Sequence, residues 1–386
     1  MKKIIRIINR FNLGGPSYNV AFLTKYLESD YETLLIGGQH EKNEKSSMHI
    51  LDDLDLKPII IPEMQRSLNP YKDQIAYRKI QNIIKEFKPD IVHTHAAKAG
   101  ALGRRAAYKL GVKQIYHTFH GHVFHSYFSD FKTRIFKEIE RNLAKKTTKI
   151  IAISEIQKKE LSKIHGICPE EKIEVIPLGF DLEKFNIDKD SKRKKFREKW
   201  KIKENEIAIG IIGRLVPIKN HFFFIDVIQE VLKKNEVPIR AFIIGDGEEK
   251  QNIINYIKNK NLDYSLDYSK ATFQLTSWIK EIDRVNSGMD IICLTSLNEG
   301  TPVSLIEAQA SGNPIVSTKT GGIENIVLEN KTALLSKNND LYDFSNKLLS
   351  LVNDSEKRKL FSKYGLEKSK DFHYDRLINK IKKLYK

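Results

Sequence analysis

A chain of 386 residues with 40% apolar and 30% charged residues is too long for one ordinary core and too apolar for disorder, so two domains of similar size are expected. Its longest apolar runs are strand-sized, which excludes a membrane-spanning helix, and Arg6, Asn9 and Arg10 interrupt the N-terminal stretch before an export signal could form. The net charge of +17, with 11 bases against 3 acids between Lys98 and Lys146, points to an anionic partner, yet no basic and aromatic recognition motif accompanies it, so nucleic acid is not expected.

In chain order, KIIRIIN reads as a strand, and Gly14-Gly15-Pro16 follows at once, ahead of a helix from Ser17. Backbone amides there could face a phosphate, although a glycine pair also suits a plain tight turn. ETLLIGG, KPIIIP, a helix through Gln81 and Ile84, DIVHTH, KQIYHTF and KIIAIS continue a strand and helix alternation that predicts a parallel sheet with crossover helices. Histidines gather at His93, His95, His117, His120, His122 and His125. They suit a polar site at strand ends better than a zinc centre, because no matching later ligand set exists. Phe131, Ile135, Ile139 and Leu143 recur every four residues among lysines and arginines, giving a basic amphipathic helix that could lie on a membrane surface or simply be a solvated face.

The lysine-dense stretch after KIEVIPLGFDLEKF predicts a linker over 181–205, between a first Rossmann-like domain over 1–180 and a second over 206–365. A C-terminal helix at about 366–386 could pack on either domain, including back on the first. Only Cys168 and Cys293 occur, in no C-x-x-C pattern, which fits a reducing cytoplasm.

In the second half, EIAIGIIG, IRAFIIGDG, TFQLTSW, MDIICLTS and NPIVST read as strands. Gly213, Arg214 and Lys219 close the first of them, where an α/β sheet binds ligands, and the two cations suit a diphosphate leaving group; two solvated surface cations are the plain alternative. Glu299-Gly300-Thr301-Pro302-Val303 leads into a helix whose Pro302 suits the first turn, leaving amides free to meet an anion. Glu307 then lies among Val, Leu, Ile and Ala, where a carboxylate needs partners such as ribose hydroxyls. A capping carboxylate and an exposed glutamate would be the structural alternative.

With these motifs in place the chain resembles the retaining glycosyltransferases of family 4, which have the GT-B architecture: α/β, two facing Rossmann-like domains with a cleft between them. The likeness runs from the GGP loop through HTFHGH, IAISE, VIPLGFDLEKF, GRLVPIKN and EGTPVSLIEAQASGNPIV to the glycines at 321 and 322. It implies Glu307 on the ribose, Glu299 on the donor sugar, and Arg214 and Lys219 on the diphosphate. It further implies Gly14 and Gly15 approaching the diphosphate beside Gly213, Gly300, Thr301, Pro302 and Val303 around the distal phosphate, and His120 near the donor sugar and reacting carbon. Ser277 and Trp278 are assigned to the base edge, although KATFQLTSW departs from the commoner F-x-G pattern. Lys98 and His122 are assigned to the acceptor.

The segment THAAKAGALGRRAA with HTFHGHVFH looks like the subgroup that builds capsule, exopolysaccharide or O-antigen units. That implies a UDP-sugar donor, an N-acetylhexosamine or related sugar, and a polyprenyl-diphosphate-linked or oligosaccharide acceptor at the inner face of the cell membrane. No cofactor and no metal are expected. A sugar-nucleotide epimerase or hydrolase on the same scaffold, and a non-catalytic binding protein of polysaccharide assembly, are the competing readings.

Overall fold

A computed structural model describes residues 1–12, 14–41, 46–65, 67–121 and 130–386. The chain divides into two units, Met1–Phe180 with Phe372–Lys386, and Asp181–Asp371.

The β-branched runs of the first unit form a sheet of seven strands: β1 (Lys2–Arg10), β2 (Tyr31–Gly38), β3 (Ile59–Ile60), β4 (Ile91–His95), β5 (Gln114–Phe119), β6 (Lys149–Ala152) and β7 (Ile173–Val175). Its order is β3-β2-β1-β4-β5-β6-β7, and every pairing is parallel. A parallel sheet is covered on both faces, and along β1 Ile4, Ile5, Ile7 and Ile8 are all buried, with Arg6 buried between them. Ile5 and Ile7 enter one core with Ile80, Val92 and Ala106, whereas Ile4 enters another with Tyr116, Leu377, Ile381 and Tyr385. Strand order reverses beside β1, so the segments after β1 and β4 flank a switch point.

The second unit repeats this plan with β8 (Ile207–Ile212), β9 (Ile239–Ile244), β10 (Tyr264–Ser265), β11 (Phe273–Thr276), β12 (Ile291–Leu294), β13 (Ile315–Thr318) and β14 (Ala333–Ser336). Their order is β10-β11-β9-β8-β12-β13-β14, again with parallel pairings. Ile209, Ile211, Ile243, Phe273 and Ile291 from the strands pack with Phe224 and Ile228 of helix His221–Lys234 and with Leu348 of helix Leu341–Val352. The switch point lies between β8 and β12.

The stretch expected to be a linker lies wholly in the second unit and is built into it. Helix Lys189–Lys199 exposes most of its lysines while Phe196 and then Trp200 turn inward, their rings 5.7 and 5.4 Å from Phe242. Arg193 and Arg197 both donate to Asp290, at 2.6 and 3.1 Å. Composition concealed an inward face carried by every third or fourth residue.

The expected C-terminal helix is two helices. Ser355–Ser369 belongs to the second unit, and Tyr374–Tyr385, preceded by His373, belongs to the first. In the latter Leu377, Ile378, Ile381 and Tyr385 are buried against the β1 face. Among the described residues no helix is long and apolar enough to cross a membrane. Cys293 is buried and Cys168 partly buried; both are free thiols.

Because Ile381 is 1% exposed, Ile381→Ala is expected to cost about 2–5 kcal/mol. Urea denaturation followed by unit-specific hydrogen exchange should show that loss in the first unit and leave the protection of β8, β9 and β12 intact.

Candidate active site

In the second unit the two segments beyond the switch point meet. The turn Pro217–Lys219 follows β8 and leads into helix His221–Lys234; residues 295–302 follow β12 and lead into helix Val303–Ala310. Thr295 Oγ1 donates to the carbonyls of Lys219 and Asn220, each at 3.0 Å, and the Leu297 amide donates to the Ile218 carbonyl at 2.8 Å. Across this join Lys219 Nζ forms an ion pair with Glu299, and Ser296 Oγ donates to the same carboxylate oxygen at 2.6 Å. The Lys219 and Glu299 side chains are 18% and 11% exposed, so the pair is shielded but reachable. Gly213 lies against Lys219, whose Cε would be 3.6 Å from a Cβ there. Arg214 is exposed and has no ion pair among the described residues.

Gly300 and Thr301 continue this segment, and the helix begins at Val303 with Pro302 immediately before it rather than in its first turn. No side chain caps that helix, so its first amides remain available to an anion. Glu307 lies in the same helix, half-buried. Burial pushes its carboxyl up to about 7, Lys184 works against the shift, and Asp283 adds to it. Ser277 and Trp278 follow β11, on the far side of β9 from β8; Ser277 Oγ accepts from Lys250 Nζ at 3.0 Å. They share the carboxyl edge with Glu299.

In the first unit, Gly14 and Gly15 follow β1, and the helix starts at Gly15, two residues before the expected Ser17. Gly15 packs so that a Cβ would lie 3.0 Å from Leu178. His120 follows β5, and its Nε2 lies 3.0 Å from His95 Nδ1. Burial lowers His120 to about 3, so it is uncharged at neutral pH. On β4 and β5, His93 meets the hydroxyls of Tyr385 and Thr118, at 2.6 and 2.8 Å, and His117 that of Thr94 at 2.8 Å. No cluster of three or more metal-ligating side chains occurs among the described residues.

Lys98, expected to face the acceptor, donates to Asp73 at 2.6 Å and to the Ser67 carbonyl. Its charge is committed to helix Pro70–Phe87. His122 and His125 lie outside the described residues.

Residues 192–368 match the profile of Glycosyl transferases group 1, and residues 14–184 that of Glycosyltransferase Family 4. UDP-Gal:alpha-D-GlcNAc-diphosphoundecaprenol alpha-1,3-galactosyltransferase of Escherichia coli is 31% identical over 354 residues, covering 87% of this chain and 89% of its own. The chain belongs to glycosyltransferase family 4. The Staphylococcus aureus capsular polysaccharide biosynthesis glycosyltransferase CapM is 25% identical over 345 residues, 86% of this chain and 87% of its own. A solved glycosyltransferase of Rickettsia africae superimposes with a TM-score of 0.81 at 22% identity, covering 100% of this chain and 98% of that one. Anabaena HepE in complex with UDP gives 0.80 at 18%, covering 100% and 99%. At that identity the likeness shows the fold, which is GT-B.

In this family 4 chain, two glycine pairs hold the ligand-facing segments in place. The Gly322 amide donates to the Glu299 carbonyl at 2.9 Å, and a Cβ on Gly322 would lie 1.8 Å from the Gly300 carbonyl oxygen. On the other side, Gly245, at φ +149°, would place a Cβ 1.8 Å from the Gly213 carbonyl oxygen, while the Leu215 amide donates to the Asp246 carbonyl at 2.9 Å. In the sequence GDG at 245–247 reads only as a strand end, and Ser296 does not stand out. The signal for the first was two glycines directly after a buried strand; nothing in the local pattern marked Ser296.

The folded family 4 chain retains the Glu307 proton up to about pH 7, whereas the unfolded chain releases it in the ordinary carboxylate range. The folded state therefore binds more protons in that window, and stability from this group falls as pH rises through it. Glu307→Gln is expected to melt higher than the wild type by a few degrees near about pH 8 and to match it near about pH 5. Equal melting-temperature differences at both pH values would contradict the raised Glu307 carboxyl.

Proposed function

We propose that this glycosyltransferase moves a sugar from a UDP-sugar donor to a hydroxyl of a lipid-linked or saccharide acceptor in the synthesis of a bacterial surface polysaccharide, with retention of anomeric configuration. The observation that carries the reading is the Lys219–Glu299 pair at the β8/β12 switch point, with exposed Arg214 beside it. A diphosphate draws Lys219 and Arg214, and freed Glu299 accepts from sugar hydroxyls; Glu307 accepts from the ribose. In the second unit Gly213 and the amides of Gly300, Thr301 and Val303 are assigned to the phosphates and Ser277 and Trp278 to the base; in the first unit, by itself, the Gly14–Gly15 loop is assigned to phosphate and His120 to a sugar hydroxyl.

In the reaction the bond from the anomeric carbon to the diphosphate oxygen breaks as the acceptor oxygen bonds to that carbon from the same face. The acceptor proton passes to the departing diphosphate, whose growing charge Arg214 and Lys219 offset. No resident metal is required by this scheme. An N-acetylhexosamine or related sugar is the proposed cargo, and the E. coli relative's diphosphoundecaprenol substrate supports a polyprenyl-diphosphate acceptor.

Thermal shift against UDP, GDP, ADP and their sugars, with and without a chelator, tests the donor class. UDP is expected to raise the melting temperature with or without chelator. In calorimetry Arg214→Ala and Lys219→Ala should each weaken UDP roughly ten- to a hundredfold, the worth of one charge-assisted hydrogen bond. Absence of a shift with any nucleotide would favour a binding protein of polysaccharide assembly, and rapid conversion of the donor sugar or UDP release without acceptor would favour an epimerase or hydrolase.

A lipid-linked acceptor also calls for the membrane surface. Helix Asp130–Lys145 turns Phe136, Leu143 and Ala144 into the core, and leaves Ile135 and Ile139 44% and 42% exposed beside exposed Lys132, Arg134 and Lys145. This pairing of isoleucines with cations suits an anionic leaflet. Changing Ile135 and Ile139 together to Ser is expected to lower co-sedimentation with phosphatidylglycerol vesicles roughly fivefold or more. Unchanged co-sedimentation would leave the helix as a solvated face.

A further inference from the structure

His120 is one end of a buried polar row. The β4 and β5 strands pair with His95 opposite Thr118, and His120 follows β5 by one residue. The rings of His95 and His120 stack with centroids 5.3 Å apart, and His95 Nδ1 lies 3.0 Å from His120 Nε2. Behind them the His93 ring lies 4.2 Å from His95 and is fixed at both nitrogens by Tyr385 and Thr118. Arg6, opposite His93 in the β1/β4 register and fully buried, places a positive charge behind the row.

We propose that His95 is a positioning residue that donates its Nδ1–H to His120 Nε2, fixing His120 as the Nδ1–H tautomer so that it presents an N–H to an oxygen of the sugar substrate. The inference rests on the reading above that His120 meets a sugar. A hydrogen bond between two neutral imidazoles has one donor, so two arrangements compete. If His120 donated, the remaining His95 proton would sit on Nε2, which is buried with no hydrogen-bond partner among the described residues. That orphan N–H would also share its surroundings with the Arg6 charge, which acts on His95. A buried unpaired N–H is the costlier orphan, and a positive charge favours a lone pair. When His95 donates, its Nε2 keeps only a lone pair. The one unsatisfied N–H then moves to His120 Nδ1, likewise buried and unpartnered among the described residues. There a ligand oxygen can satisfy it. Burial and mutual repulsion hold His95 well below the ordinary histidine range and His120 at about 3, so both rings stay neutral through the working range.

The test is nitrogen NMR of the full chain labelled with 15N-histidine, with His120 identified by the resonance lost in His120→Gln. The wild type should show His120 protonated on Nδ1. His95→Phe keeps the ring and removes the donor; His120 should shift toward Nε2–H, and kcat should fall at least about tenfold, with UDP affinity within about twofold of wild type. His95→Asn, whose amide N–H reaches the place of Nδ1–H, should restore the tautomer and most of kcat. An Nε2–H tautomer in the wild type would overturn the proposal, as would an unchanged tautomer in His95→Phe or a His95→Asn no better than His95→Phe. A wild type that transfers no sugar would overturn only the functional reading, because the tautomer is read without turnover.

Discussion

A parallel strand cannot be joined to its neighbour by a hairpin: the chain must cross a face of the sheet and return to the same end. In both units this constraint sends the chain out along one sheet edge before each crossover. Residues that would clash with a packed core, such as Arg214, Lys219, Glu299 and His120, stand at that edge. Where strand order reverses, beside β1 and between β8 and β12, adjacent crossovers leave in opposite directions and open room for a ligand.

At the second of these openings, charge is held in reserve. Lys219 and Glu299 satisfy each other, with Ser296 supplying a further donor, so neither is left bare in a partly shielded place. Under the proposed function a diphosphate competes for the lysine, and the carboxylate it leaves behind takes donors from sugar hydroxyls. On that reading, binding of phosphate and of sugar is coupled through one ion pair. The glycines at 245 and 322 make this possible at close range, because any side chain there would push apart the backbones that carry the pair.

The strands were legible because a doubly covered parallel strand is largely apolar; β8 and β12 read that way, while β1 and β4 show it only in their paired isoleucines and valine. Gly213, Lys219 and Glu299 were legible because each follows such a strand within a few residues. What escaped were features set by tertiary partners. Lysines dominate 189–199, yet Phe196, Arg197 and Trp200 decide where that segment goes. The four-residue repeat from Phe131 to Leu143 marked a helix correctly, but its Ile135 and Ile139 face outward while Glu140 turns inward to meet Arg104 at 2.7 Å. That buried charge pair has no signature in either helix alone. Lys98 was likewise drawn away by Asp73, 25 residues distant in sequence. The histidine row combines strand spacing, visible in H-x-H, with a tyrosine nearly three hundred positions later, which no local pattern connects.

That tyrosine belongs to a helix that completes the first unit only after the whole second unit has been synthesised. On the ribosome, the face of β1 that carries Ile4 has Leu23 and Leu27 against it but must wait for Leu377, Ile378, Ile381 and Tyr385 through the translation of some two hundred residues. The first unit emerges first and finishes last. A product cut short within Asp181–Asp371 would keep its early strands but lack both Ile381 and the hydroxyl that anchors His93. Sealing by the late helix thus ties the anchoring of His93 to translation through Tyr385.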